Sequence, residues 1–325
     1  MKKTSARSDR KAGGERLPIR RKPSKAFRYF KKDWPYWVMM LIPLAYFLIF
    51  CYWPMFGFVM AFQNYKAGAA FIGPSTKWVG LQWFRQLFAN PLLGRLIRNT
   101  LMLSLYDLVI TFPISILFAL LLNEVRHKWL RHFTSNVSLL PYFISTAIIV
   151  GIMVNLFSVD DGVVNAMIAK LGGEKQDFMG APKWFRTMYT GSAIWANTGF
   201  NAVVFTAAIS GIDPTLYEAA AIDGSTRLKN IFRITIPCIM PTIIIMLLLR
   251  LGSIMTNGYE KIILMYSPAT YEAADTLGTY AYRAGILDGK VSMSTAIGLL
   301  NSVCNLAMLL FSNRLTRRYT ETSLF

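Results

Sequence analysis

The chain has 325 residues, of which 54% are hydrophobic and only 16% are charged, and its mean hydropathy is +0.38. Soluble domains average about 25% charged residues, so this composition excludes an ordinary soluble domain. The apolar residues form long runs rather than the spaced stripe of an amphipathic helix. We therefore expect an all-α, polytopic membrane protein.

The N-terminal segment carries much of the net charge of +18, because residues 1–35 contain thirteen Lys and Arg against three acidic residues. A basic segment directly before an apolar run is typical of the cytoplasmic side of a membrane, where it faces anionic lipid. We predict a largely disordered, basic cytoplasmic tail over 1–35 with an interfacial aromatic end, followed by one transmembrane domain over 36–325. An RNA-binding arm is the alternative. No folded nucleic-acid module follows the tail, so we expect membrane lipid and no nucleic acid as its partner.

Six apolar segments meet or approach the roughly 20 helical residues that cross a bilayer core about 30 Å thick. We predict one transmembrane helix in each of them: Val38–Phe62, Leu101–Leu122, Leu139–Phe157, Met188–Ile209, Cys238–Met255 and Val291–Asn313. An even number of spans places both termini on one side. That side would carry 22 Lys and Arg against 12 on the other. The excess of basic residues predicts that both termini are cytoplasmic.

Motifs for catalysis and metal binding are missing from the sequence. Cys51, Cys238 and Cys304 lie far apart, in or beside apolar runs, and are interpreted as core residues rather than as a disulfide framework. There is no GxxxxGK[S/T] phosphate loop, no HExxH and no GxSxG. We therefore expect a non-catalytic chain that binds no cofactor or metal.

The segment 213–241 reads DPTLYEAAAIDGSTRLKNIFRITIPCIMP. Asp213 followed by Pro214 predicts the start of a helix, and Gly224 predicts its end. Ser225 is expected to cap a second helix at once, and the prolines at 237 and 241 are expected to halt that helix before the fifth span. Two short helices with a glycine turn would form a cytoplasmic knob that seats in another protein. An amphipathic connector on the membrane surface is the alternative.

The same segment resembles the EAA motif of binding-protein-dependent ABC importer permeases. Glu218-Ala219-Ala220, three residues, Gly224, nine residues and Ile234-Thr235-Ile236-Pro237 follow the spacing of that motif, with Ile236 at its leucine position as the only departure. Most of 36–325 is also similar to the LplB-type branch, whose members import oligosaccharides. The segments that carry this similarity are Arg98–Ser104, Ala119–Arg126, Leu140–Ser145, Gly162–Asn165, Lys183–Arg186, Asp275–Arg283 and Ser294–Gly298.

The resemblance implies a type I ABC importer permease fold with six transmembrane helices in the bacterial cytoplasmic membrane. It implies that the loop 213–237 contains the coupling helix, which docks on a cytoplasmic ATPase subunit. The implied coupling residues are Glu218, Ala219, Ala220, Asp223 and Gly224. The implied partners are a second homologous permease, two ATPase subunits that hold ATP and Mg, and an extracytoplasmic solute-binding protein.

Polar residues inside the spans are candidates for the substrate path. Arg250 lies in the fifth span, where a central arginine costs about 2.5–3.5 kcal/mol to insert, so it could line the path and bind carboxylates of an acidic oligosaccharide. A structural pair with Asp107 or with an acid of the partner, or snorkelling to the interface, is the alternative. Trp195, Asn197 and Asn201 combine stacking and hydrogen bonding in a way that suits a sugar, and interhelical packing is their alternative.

An ion-gradient-driven secondary transporter or channel is the competing class. Such a protein needs ionisable relays or discontinuous helices within its spans. Only Asp107 and Arg250 would qualify as intramembrane charges. This class also leaves the EAA spacing without an explanation.

Overall fold

The computed structural model describes residues 25–66, 68, 76–256 and 258–319. Most of this part is helical, and its two strands are very short. The α-helices are α1 Lys25–Tyr46, α2 Trp53–Met55, α3 Gln82–Phe88, α4 Leu93–Tyr106, α5 Phe112–Glu124, α6 Lys128–Leu139, α7 Thr146–Phe157, α8 Val163–Lys170, α9 Pro182–Ser210, α10 Pro214–Ile222, α11 Arg227–Asn230, α12 Ile236–Leu251, α13 Tyr259–Met265, α14 Tyr271–Ala274, α15 Leu277–Tyr282 and α16 Val291–Tyr319. Short 3₁₀ helices lie at Phe56–Phe62, Leu140–Phe143 and Pro268–Thr270.

The first compact unit of the chain ends at Phe56 and contains α1 and α2. Because α1 begins at Lys25, the predicted boundary between residues 35 and 36 falls inside a helix rather than at the end of a tail. The predicted tail over 1–24 lies outside the described residues. Large apolar side chains of this unit are exposed, including Met39 at 71% and Ile42 at 71%. Such a surface is expected of a helix that faces lipid.

Two strands open the second unit, which runs from Gly57 onward. The antiparallel strands β1 Gln63–Asn64 and β2 Lys77–Trp78 pair Gln63 with Trp78. The Trp83 indole donates a 2.8 Å hydrogen bond to the Gln63 carbonyl. The backbone N–H of Tyr65 donates to the Ser292 hydroxyl on α16 at 3.0 Å. These bonds fix the hairpin to the helices around it.

Three of the prolines inside the long helices follow widened, π-helical turns. Such turns occur at Phe47–Tyr52, Asp107–Thr111, Ile231–Thr235 and Arg283–Leu287. The first three each end two residues before a proline, at 54, 113 and 237. A proline clashes with the carbonyl four residues earlier, and in these three cases that carbonyl lies in the widened turn. The helix therefore continues through Pro237, and our expectation that the prolines at 237 and 241 halt it was wrong.

Four helices are long and apolar enough to cross a membrane, and they confirm four of the six predicted spans. They are Lys32–Phe62, Leu93–Glu124, Arg227–Leu251 and Val291–Arg317. The predicted span Met188–Ile209 lies within the 29 residues of α9, a helix about 44 Å long that is less apolar than these four. The described residues thus do not reproduce the count of six as predicted.

The predicted third span, Leu139–Phe157, is not one continuous helix. The helical segment Lys128–Phe143 and the helix Thr146–Phe157 meet at an angle of 99°. Ile144 is extended, and the Ser145 side chain accepts a hydrogen bond from the backbone N–H of Ile148 as the N-cap of α7. Hydropathy does not detect this elbow, because the residues on its two sides, 139–143 and 146–157, are both mainly apolar.

The helix α9 runs through the core of the second unit. Its first half contributes Phe185 to a cluster with buried residues of α4, α7 and α13. Its second half places Phe205 edge-on against Phe112 of α5, with ring centroids 5.9 Å apart. Gly199 lies so close to the Ser138 carbonyl of α6 that a Cβ at this position would collide with it. Small residues at such crossings let membrane helices approach closely.

Candidate functional site

The EAA segment folds as a short helix, α10, with a side-chain cap at its start. The Asp213 carboxylate accepts a 2.9 Å hydrogen bond from the backbone N–H of Thr215. This bond holds the pKa of the carboxyl below its ordinary value. Pro214 occupies the first turn, where backbone N–H groups have no partner within the helix, so the lack of an N–H in proline costs no hydrogen bond. The predicted start of the helix is confirmed.

Gly224 ends α10 in a left-handed conformation with φ of +68°. The backbone N–H of Ser225 donates to the Ala220 carbonyl at 2.9 Å, and the N–H of Gly224 donates to the Ala221 carbonyl at 3.1 Å. These are the two bonds of a Schellman motif, which glycine favours because it has no Cβ to strain the left-handed turn. The turn predicted at Gly224 is confirmed.

The second helix of the segment begins one residue later than predicted. Ser225 gives its backbone N–H to the Schellman motif, and Thr226 is the N-cap, whose hydroxyl accepts from the N–H of Lys229 at 3.4 Å. From Arg227 this helix runs without a break to Leu251. The hydroxyls of Tyr217 and Thr235 share a 2.9 Å hydrogen bond, which attaches α10 to the long helix.

The side chains of α10 are accessible to solvent. No side chain of the helix is buried; Glu218, Ala219 and Asp223 are exposed, and Ala220 is half-buried. Ile222 is 88% exposed at its end. In the described part of the chain, Glu218 forms no salt bridge. An unpaired carboxylate beside small residues and an exposed isoleucine is a surface that another protein can cover.

A cavity of about 530 Å³ opens between α4, α7, α9, α12 and α13. We call it the polar cavity. Most of the residues that line it are polar or charged, and the others are apolar or glycine. The polar residues that matter below are Asp107, Tyr189, Asn197, Arg250, Glu260 and Lys261.

Arg250 and Asp107 form an ion pair in the wall of the polar cavity. The arginine lies in the last turn of α12, and the aspartate begins the widened turn after α4. Their side chains are 25% and 35% exposed, respectively. The structure therefore places Arg250 against the acid that the sequence offered as its structural partner, while both residues still line the cavity.

Lys261 is a third charged residue of the polar cavity, and sequence reasoning missed it. Its ammonium group donates a 2.9 Å hydrogen bond to the Tyr189 carbonyl and lies 4.5 Å from the centre of the Tyr189 ring. Burial lowers the pKa of Lys261 to about 8, against an opposing effect from the Asp107 carboxylate. Only the position of Lys261 beside the apolar run Ile262–Met265 hinted at burial.

The structure separates the three polar residues predicted on α9. Asn197 lines the polar cavity. Trp195 lies instead on an almost wholly apolar groove of about 510 Å³ between α7 and α9, together with Met153 and Trp184. Asn201 lines neither space, and its amide nitrogen is buried without a hydrogen-bond partner among the described residues. Of the three, Asn197 alone joins Arg250.

A buried polar network holds the segment that follows α13. The fully buried Asp275 accepts hydrogen bonds from Arg283 at 2.7 Å and from the Thr279 hydroxyl at 2.8 Å. The Asn99 amide donates to the Asp275 carbonyl at 3.0 Å, and Arg186 donates to the Asn99 side-chain oxygen at 3.1 Å. Burial alone lowers the pKa of Arg283, but the bond to Asp275 raises it on balance, so the guanidinium group stays charged. The network fixes α14 and α15 against α4 and α9.

Comparisons with known proteins agree with this architecture. The family described as the binding-protein-dependent transport system inner membrane component matches residues 111–321. The chain is 38% identical, over 89% of its length and 90% of the relative, to the polygalacturonan/rhamnogalacturonan transport system permease protein YteP of Bacillus subtilis (strain 168). It is 40% identical to protein LplB of the same organism, over 91% of this chain and 92% of that protein.

A solved structure shares both sequence and fold with the chain. It is a chain from the crystal structure of a bacterial alginate ABC transporter in complex with an alginate pentasaccharide-bound periplasmic protein, at 42% identity and a TM-score of 0.84. The match covers 92% of this chain and 99% of the other. The helical membrane architecture, the EAA segment and these matches together establish that the chain belongs to the family of inner membrane components, or permeases, of binding-protein-dependent ABC transport systems.

Proposed function

We propose that this chain forms half of the translocation pathway for an acidic, uronate-containing oligosaccharide and couples its import to ATP hydrolysis on separate subunits. A second homologous permease would complete the pathway, and an extracytoplasmic solute-binding protein would deliver the substrate. ATP and Mg would bind to the two ATPase partners, with none bound by this chain. Both termini would be cytoplasmic, with the basic N-terminus at the surface of anionic lipid.

The exposed and firmly capped helix α10 is the observation that carries this proposal. Its capping bonds at Asp213 and Gly224 make it rigid, and the Tyr217–Thr235 hydrogen bond attaches it to a membrane-length helix. A rigid knob attached to a span can transmit movement of a docked ATPase subunit into the membrane domain. The residues proposed for docking are the exposed Glu218 and Asp223, with the small Ala219 and Ala220 and the Gly224 turn allowing close approach.

The substrate class is supported by the relatives and by the cavity. YteP is named for polygalacturonan and rhamnogalacturonan transport, and a second structure, at 42% identity and a TM-score of 0.83, is of a transporter involved in the import of the acidic polysaccharide alginate. The polar cavity has the hydrogen-bonding groups that a sugar needs, including Asn197. We propose Arg250 and Asn197 as residues of the substrate path, and Trp195 and Asn201 as residues beside it.

Co-purification and uptake test the proposal together. An affinity-tagged chain should bring a second permease and ATPase subunits with it from native membranes. In proteoliposomes, the assembled complex with its solute-binding protein should accumulate oligouronates in preference to neutral oligosaccharides of equal length. Purification as a single subunit, or uptake driven by an ion gradient without ATP, would contradict the proposal.

A further inference from the structure

We infer that Lys261 holds a substrate carboxylate in the polar cavity and so sets the preference for acidic over neutral oligosaccharides. This inference rests on the function proposed above and names the residue that recognises the charge. The charge balance of the cavity, the position of the ammonium group and its free hydrogen-bonding capacity carry it.

The charge balance leaves Lys261 without a direct counter-ion. Asp107 is in contact with Arg250, so the two charges of that pair largely cancel. Within the described residues Lys261 forms no salt bridge. Asp107 attracts its charge electrostatically but is not in contact with it. Glu260 also borders the cavity, but it is exposed, and exposed charges are screened by water and salt. The half-buried lysine is therefore the cation to which an incoming carboxylate can pair.

The ammonium group is held in place and still has donors to offer. One of its three N–H donors is used by the Tyr189 carbonyl at 2.9 Å. The centre of the Tyr189 ring lies 4.5 Å from the nitrogen, and this cation–π contact stabilises the positive charge. Two donors remain for the oxygens of a carboxylate. Asn197, on the same helix as Tyr189 and in the wall of the same cavity, can bond a sugar hydroxyl.

Burial adds to the strength of the interaction. A lysine that has already lost part of its hydration gives up less water when a carboxylate arrives, and attraction between charges is stronger where water is scarce. A neutral sugar has no carboxylate and would gain no such electrostatic attraction to Lys261. Lys261 would thus favour oligouronates over neutral oligosaccharides through their charge, while groups that bind hydroxyls would bind both kinds of substrate.

The test compares Lys261→Met and Lys261→Arg in the complete complex, reconstituted in proteoliposomes with its solute-binding protein. The substrates are oligogalacturonate or oligoalginate and the carboxyl-reduced, neutral form of the same oligosaccharide. Lys183→Met is the matched control, because Lys183 also lies over an aromatic ring, 5.6 Å from the Trp184 centre, but is exposed and outside the polar cavity. Complex assembly and basal ATP hydrolysis are measured for each variant.

We expect Lys261→Met to lower uptake of the oligouronate about tenfold, which corresponds to about 1.4 kcal/mol, and to leave uptake of the neutral form unchanged. Lys261→Arg and Lys183→Met should keep the wild-type preference. Equal losses for both substrates, or an unchanged preference in Lys261→Met, would overturn the inference while leaving the proposed function intact. A wild-type complex that does not discriminate between the two forms would overturn the acidic-substrate proposal and this inference with it.

Discussion

The hydroxyl of Tyr217 on α10 lies 2.9 Å from the hydroxyl of Thr235, a buried residue in the widened turn of the helix that runs from Arg227 to Leu251. This hydrogen bond attaches the exposed EAA helix to a membrane span. Any force on α10 is therefore passed to the span through a defined contact as well as through the chain.

Removal of this contact should weaken transmission without preventing assembly. We expect Tyr217→Phe, which deletes one hydroxyl, to lower uptake per ATP hydrolysed about fivefold, since a hydrogen bond contributes about 1 kcal/mol. The ratio of uptake to ATP hydrolysis in proteoliposomes measures this effect. Thr235→Ser keeps the hydroxyl and serves as the control. Normal coupling in Tyr217→Phe would mean that the covalent connection suffices.

The left-handed turn at Gly224 should tolerate only residues that accept its φ of +68°. A Cβ there would meet no atom within 4 Å, so the cost of substitution is backbone strain of about 1–2 kcal/mol. We expect Gly224→Asn to transport nearly normally, because asparagine accepts this conformation. Gly224→Pro should abolish transport, because proline fixes φ near −65° and removes the N–H that bonds Ala221.

The glycine variants are compared by uptake and substrate-stimulated ATP hydrolysis at equal membrane expression. Gly211→Ala is the matched control, since Gly211 has a φ of −86° and an added Cβ there would make only ordinary contact, 3.5 Å from the Ala208 carbonyl. If Gly224→Pro hydrolysed ATP in response to substrate as the wild type does, the role of the turn in coupling would be refuted.

Reversal of the charge at Glu218 should disrupt docking rather than folding. The residue is exposed and has no salt-bridge partner among the described residues, so the isolated subunit loses little when it changes. At an interface with a basic residue, like charges cost several kcal/mol. We therefore expect Glu218→Lys to insert normally and to lose its ATPase subunits on purification. Glu174→Lys, at another exposed glutamate, should keep them.

Uptake of an acidic substrate should fall as the external pH rises through the pKa of Lys261. This lysine lies in α13, outside the membrane-length helices, and burial lowers its pKa from 10.5 to about 8. A lysine is charged below its pKa, so the protonated fraction falls from about 90% at pH 7 to about 10% at pH 9. Uptake of an oligouronate should decline accordingly, and uptake of its neutral form should not.

The groups around Lys261 define the controls for the pH experiment. Asp107 and Arg250 form an ion pair in the wall of the polar cavity, and the other titratable residues that line the cavity beside Lys261 are Tyr189, Tyr259 and Glu260. Lys261→Arg remains charged throughout this range and should show no decline. Substrate affinity of the solute-binding protein is measured separately at each pH. The same decline in Lys261→Arg would assign the titration to another group.

A double-mutant cycle should detect coupling between Asp107 and Arg250. Asp107→Asn and Arg250→Met each leave one partly buried charge without its partner, and each should lower the temperature at which the complex dissociates. The decrease in dissociation temperature of the double variant should be smaller than the sum of the decreases in the two single variants, which corresponds to a coupling energy on the order of 1 kcal/mol. Lys290 and Asp288, an exposed pair 3.8 Å apart, should show none. Additive effects at Asp107 and Arg250 would contradict a stabilising pair.

Local sequence rules predicted both ends of the EAA helix α10 correctly. Asp213 and Gly224 act through hydrogen bonds to residues two and three positions away, so their roles can be read from neighbouring sequence. The one-residue error at Ser225 arose because its N–H already belongs to the Schellman motif, which leaves the cap to Thr226. The error at Pro237 arose because a widened turn relieved the expected clash.

Long-range contacts explain what the sequence could not predict. Tyr189 and Lys261 are 72 positions apart, so no local pattern marks their contact. Asp107 and Arg250 are 143 positions apart, and the sequence offered their pairing only as one of several alternatives. Hydropathy predicted the four membrane-length helices because burial in lipid depends on composition. It missed the elbow at Ile144, since a change in helix direction leaves the average composition unaltered.

The unbroken helix from Arg227 to Leu251 also acts as a lever. Its 25 residues extend about 37 Å. Thr235, to which α10 is attached, lies about a third of the way along, and Arg250 lies at the far end. A pivot of only about 5° about the Arg227 end would move Arg250 sideways by about 3 Å, enough to separate it from Asp107. A small rotation at the end of the helix that carries α10 would thus become a displacement of several ångströms at the wall of the polar cavity.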